Sequence, residues 1–78
     1  MSESSKRFTK EQIDKITFHI SSLDSAQRET VRAHLHHLHD INDGLFYKES
    51  FKRDLYELRT SNDISETDYH AVLKAFFG

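Results

Sequence analysis

TKEQIDKITFHISSLDSAQRETVRAHLHHLHDINDG, residues 9–44, decides the fold. Ile13, Ile16, Ile20 and Leu23 recur at helical spacing and draw one apolar stripe. Thr9 stands where an N-cap belongs, with Gln12 three residues on as its capping-box partner. Phe8 and Ile13 occupy the two positions of a hydrophobic staple, and Glu11 with Lys15 adds a favourable i,i+4 pair. The stretch SSLDS, residues 21–25, interrupts the pattern, and Asp24 caps a second helix with Gln27 at its third position. Val31, Leu35, Leu38 and then Ile41 or Asn42 continue an inward seam. Asn42, Asp43 and Gly44 end it, because a helix C-terminus commonly needs a left-handed residue. The short link between the two helices predicts an antiparallel hairpin.

Working outward, a third helix begins within 45–48 and carries Phe51, Leu55 and Leu58 at i, i+4 and i+7. TSND, residues 60–63, is a turn, after which Ser65 caps a fourth helix with Ile64 and Tyr69 as its staple. Val72, Leu73 and Phe76 follow on one face. The expected architecture is all-α: a single compact domain over 8–78 with helices near 10–22, 25–42, 47–60 and 66–77. Residues 1–7 are polar and without periodicity, and read as a frayed tail. The segment 55–77 is similar to the short helical domains found at the C-terminus of many bacterial proteins. That likeness rests on Leu55, Leu58, Ile64, Tyr69 and Leu73, all core-type positions, and implies a helical hairpin.

Composition narrows the function classes. The chain has 78 residues, of which 36% are hydrophobic, 31% charged and 12% aromatic, a balance that fits neither disorder nor a membrane span. Its small size gives a modest core, and without cysteine neither disulfides nor thiolate metal sites supplement it. The absence of proline and the presence of only two glycines favour helices over a strand-rich domain. No apolar segment follows Met1 as a signal peptide requires, so a cytoplasmic protein without membrane contact is expected. A formal charge of −2 does not point to general nucleic-acid binding, although protonation of the six histidines would make it positive.

Four of those histidines lie in HLHHLHD, residues 34–40. At about 100° per residue they do not converge: His34 borders the seam, His36 and His39 share a flank with Arg32, and His37 lies on the other. His36, His39 and Asp40 are the one set whose spacing permits a shared metal ion. With no HExxH and no cysteine, no metal or other cofactor is expected, and a solvated helix flank or a pH-responsive surface are the other readings. The loop DINDGLFYKESF, residues 40–51, resembles an EF-hand calcium loop around Gly44, but His39, Ile41, Asp43 and Ser50 fall at the ligand positions. Calcium needs more carboxylate oxygens than that set offers.

The sequence contains no phosphate-binding glycine loop and no nucleophile elbow, and it leaves little room for a desolvated pocket, so an enzyme is not expected. Lys48, Lys52 and Arg59 form a basic side on the third helix, compatible with phosphate contacts, yet Glu49, Asp54 and Glu57 interleave with them. The aromatics are more informative. Phe18 falls nearly opposite the isoleucine stripe, Tyr56 falls off the Phe51 stripe, and Tyr47 and Phe77 have no evident core role. Exposed aromatics are enriched as anchors at protein interfaces. The expected function is therefore a small non-enzymatic protein-binding module, an adaptor, antagonist or regulator of a larger partner. Its candidate contacts are Phe18, Arg32, His36, His39, Tyr47 and Tyr56, and a second copy of the chain is another partner they would suit. Size alone also suits a phage or mobile-element product. A nucleic-acid regulator using the third helix and a histidine-based metal or proton sensor are the alternatives.

Overall fold

A computed structural model describes residues 4–78. Its elements, in chain order, are β1 (Ser5–Arg7), α1 (Lys10–Phe18), α2 (Ser25–Asn42), β2 (Leu45–Tyr47), α3 (Lys48–Thr60) and α4 (Glu66–Phe77). The four helices make an all-α domain to which the two short strands are a minor addition. Three of the helices start on capping boxes: Thr9 with Gln12, Asp24 with Gln27, and Ser65 with Asp68. Each box satisfies two backbone N–H groups that helix geometry leaves without a partner. The helices α1 and α2 run antiparallel. Lys10 meets Asp40, Asp14 meets His36 and Thr17 meets Arg28, so partners ascend on one helix as they descend on the other.

The core is shared by all four helices and includes Ile13, Val31, Leu35, Leu55 and Val72, each fully buried. Phe8, Phe46, Phe51 and Phe76 form its aromatic end, with ring centroids 5.1–5.8 Å apart along the chain of contacts. Such spacings suit the tilted and edge-to-face arrangements that aromatic quadrupoles favour. Phe77, for which the sequence shows no core role, is half-buried and packs against Phe51 at 5.2 Å. Thr17 also joins the interior, and its hydroxyl donates to the carbonyls of Ile13 and Asp14, so this buried hydroxyl is satisfied.

Several boundaries differ from the sequence reading. Ser5–Arg7, expected to fray, pair antiparallel with Leu45–Tyr47 in the register Ser5 to Tyr47, Lys6 to Phe46 and Arg7 to Leu45. The Phe8 N–H donates to the Gly44 carbonyl and the Lys48 N–H to that of Ser4, each at 2.8 Å, closing the ladder at both ends. Ser5–Arg7 expose every side chain and so carry no apolar alternation, which is why this strand has no sequence signature. The rest of the expected tail, residues 1–3, lies outside the described residues. Helix α1 stops at Phe18 rather than near 22, because the chain continues in turns whose carbonyls Arg28 takes up. Ile20 and Leu23 remain buried, although they lie in that connection and not on the helix. Ile41, expected to extend the seam, is 62% exposed in the last turn of α2, where the chain reverses at Asp43 and Gly44.

Gly44 positions that reversal. Both Asp43 (φ 53°) and Gly44 (φ 83°) are left-handed. Asp43 faces solvent, and its carbonyl accepts from the Arg7 guanidinium at 2.7 Å. A Cβ on Gly44 would stand 2.9 Å from the Phe8 carbonyl oxygen and 3.0 Å from His39 Nε2. Only glycine allows that approach.

Candidate functional site

The edge formed by α1 and α2 carries the most exposed aromatic side chain of the described residues. Phe18 is 68% exposed, because it closes α1 on the side away from the isoleucines. It is nevertheless well supported. The Arg28 guanidinium lies over its ring at 5.8 Å, within cation–π reach. Arg28 is in turn anchored: Nε donates to the Thr17 carbonyl at 3.2 Å, and Nη2 to those of Ile20 and Leu23 at 3.2 and 3.0 Å. One side chain of α2 thus ties the last turn of α1 to two carbonyls of the connection that follows it. Sequence reasoning treats Arg28 as a generic basic residue, and only the folded connection gives it this task.

Next to Phe18 an open groove of ≈ 480 Å³ is lined by Asp14, Thr17, Ser25, Arg28, Glu29 and Arg32. Arg32 is bidentate to Glu29 and lies 3.5 Å from Asp14, and those carboxylates hold its guanidinium firmly protonated. Asp14 also meets His36 Nε2 at 2.7 Å. Two α2 side chains therefore converge on one α1 carboxylate. Asp14 lies 22 positions from His36 with no local pattern linking them, and only the hairpin brings them together.

The other expected site residues disperse. His39 turns to the Gly44 reversal, and Asp40 pairs with Lys10 at 2.8 Å, which holds its carboxyl below the ordinary carboxylate range. Of His36, His39 and Asp40, expected to share an ion if any set did, His39 and Asp40 stay within 3.8 Å of each other, while His36 turns to Asp14. Among the described residues no three His, Asp or Glu side chains gather as a metal site. Tyr47 (43% exposed) lies on β2, which follows the C-terminus of α2, whereas Phe18 sits beside Arg28 near its N-terminus. Tyr56 (49% exposed) lines a separate groove of ≈ 270 Å³ with Glu49, Lys52, Arg53 and Tyr69. Phe18 and Tyr56 are both exposed, but they do not form one patch.

The basic side expected on α3 also divides. Lys52 faces the Tyr56 groove, and Lys48 lines a different one with Leu73 and Phe77. Arg59 lies 4.8 Å over the Tyr56 ring and 3.9 Å from Glu66. On α4, Asp68 is buried beneath the α1–α2 connection. Burial pushes its carboxyl up, but contacts from Ser65, Ser22 and Gln27 outweigh this and leave it below the ordinary range. The C-terminal helix is thereby tied to the hairpin that presents Phe18. No helix is long and apolar enough to cross a membrane among the described residues. No family model, curated protein or solved structure matches the chain.

Proposed function

We propose that this chain is a small non-enzymatic protein-binding module that presents the α1–α2 edge to a larger partner. The observation that carries this reading is Phe18, an exposed aromatic held in place by an anchored arginine. A ring already in contact with an anchored arginine has less freedom to lose on binding, and side-chain ordering is a principal cost of association. The groove beside it offers acceptors and donors in the Asp14, Arg32 and Glu29 cluster, the polar rim that such an anchor needs. Adaptors, antagonists and regulators are the roles open to a domain of this size.

Immobilised wild-type protein, Phe18→Ala and Tyr56→Ala would be compared for the proteins each retains from the lysate of the source cell. All three variants would first be shown to share one far-UV circular dichroism spectrum. A partner retained by wild type and by Tyr56→Ala but lost with Phe18→Ala is the expected result. Identical retention by all three variants, or none by wild type, removes the reading.

A further inference from the structure

We propose that the groove beside the last turns of α4 is a site for an acidic peptide segment bearing an aromatic or aliphatic anchor. The groove, ≈ 340 Å³, is lined by Lys48, His70, Leu73, Lys74, Phe77 and Gly78. Leu73 and Phe77 are half-buried and supply an apolar floor. Lys48 and Lys74 stand at the rim, and Lys6 from β1 places its ammonium 5.9 Å from the centre of the Phe77 ring. Two ammonium groups from α3 and α4 therefore line one apolar depression, and a third from β1 lies over the ring that forms part of its floor. None of the three is ion-paired among the described residues, and the nearby acidic Glu66 reaches His70 and Arg59 instead, at 3.8 and 3.9 Å.

The cluster is not a by-product of composition, because the chain carries a formal charge of −2. Nor does folding alone account for it. Lys74 in the last turn of α4 complements the helix dipole, and the Lys6 stem can cover an aromatic ring. Lys48 has no such reason: it is the first residue of α3, where the dipole disfavours a cation. A carboxylate bound between Lys48 and Lys74 would remove that conflict, while an apolar side chain of the same peptide would cover Leu73 and Phe77. A nucleic-acid backbone fits less well, because it needs a continuous cationic track. Here Lys52 faces a different groove that includes Glu49, and Arg59 is engaged by Tyr56 and Glu66.

The site is independent of the Phe18 edge, so the failure of either proposal leaves the other standing. Fluorescence anisotropy of labelled probes on the full chain tests it. The probes are a hexapeptide of alternating glutamate and phenylalanine, its lysine–phenylalanine and glutamate–serine counterparts, and an oligothymidylate. The glutamate–phenylalanine probe should bind saturably with a Kd below about 1 mM, about tenfold tighter than each of the others. Lys48→Glu and Lys74→Glu should each weaken it by about tenfold, while Lys15→Glu, with the same net charge change, should not. The Lys48→Glu variant places an acid where α3 favours one, so its loss of binding would not reflect unfolding. No binding, equal binding of the lysine–phenylalanine probe, equal or tighter oligothymidylate binding, or insensitivity to both lysine reversals would overturn the proposal.

Discussion

Replacement of Gly44 by alanine isolates the contact on which the chain reversal depends. Two costs act together. An L-residue held at φ 83° loses roughly 1–2 kcal/mol relative to glycine through the crowding of its own Cβ. In addition, the new methyl would sit 2.9 Å from the Phe8 carbonyl oxygen, which is backbone and cannot rotate away. Relief requires the two segments to part, weakening the 2.8 Å hydrogen bond from the Phe8 N–H to the Gly44 carbonyl. That hydrogen bond contributes about 0.5–1.5 kcal/mol. Phe8, which sits against Phe46 and Phe76, would be dislodged with it. The expected loss is therefore about 2–4 kcal/mol, against a total of roughly 4–12 kcal/mol for a domain of this size.

Urea titration followed by circular dichroism at the helical minimum measures this loss directly, with the slope checked so that midpoints can be compared. A thermal melt should show a fall of about 10–25 °C in Tm. Asp43→Gly is the internal comparison. Asp43 is left-handed as well but solvent-facing, so glycine there should be neutral or stabilise by a few tenths of a kcal/mol, up to about 1. If Gly44→Ala lies within about 0.5 kcal/mol of wild type, the close approach to Phe8 does not hold the reversal together.

Asp68 governs acid stability. Its folded carboxyl lies below the ordinary range, so its contribution is complete above the unfolded value near 4 and is lost as pH falls through the lower, folded value. Asp68→Asn should flatten that part of the stability–pH curve below about pH 5 and destabilise the domain near neutrality, and an unchanged acid limb in urea midpoints counts against the assignment. Arg28→Lys keeps the charge but cannot reach the carbonyls of Thr17, Ile20 and Leu23 together, so it should cost about 1–3 kcal/mol and raise amide exchange in residues 19–23. Equal protection in both proteins would refute the clamp. A double-mutant cycle on Asp14→Ala and His36→Ala should return about 0.5–1 kcal/mol of coupling, because the pair is partly solvated; additivity would show that the contact contributes nothing. Phe18→Ala should leave Tm within about 2 °C of wild type, as expected for a side chain this exposed, and a larger fall would mean that the ring serves the fold.

What could be read along the chain is what depends on neighbours three or four residues away. Thr9, Asp24 and Ser65 cap their helices where the residue pattern placed them, since a cap bonds to the backbone N–H of its own first turn. Phe51, Leu55 and Leu58 face inward for the same local reason: helical spacing puts them on one side. Helical spacing also put His36, His39 and Asp40 within reach of one another, but it could not show that His36 would turn to Asp14 and Asp40 to Lys10.

Those partners were settled by the tertiary structure. Asp14 meets His36, Arg28 closes the end of α1, and Ser5–Arg7 find Leu45–Tyr47, all after the chain has reversed. Polar side chains and exposed strand backbone leave no periodic trace, so no pattern announces which distant group they will face. Phe77 shows the limit from the apolar side. Its place on α4 gave no core role, and only the arrival of Phe8 and Phe51 from other elements half-buries it. Local geometry thus determined which segments are helical and which faces are apolar. The loops and the shared aromatic end decided which surfaces meet, because burial is a property of the whole packed chain and not of any one segment.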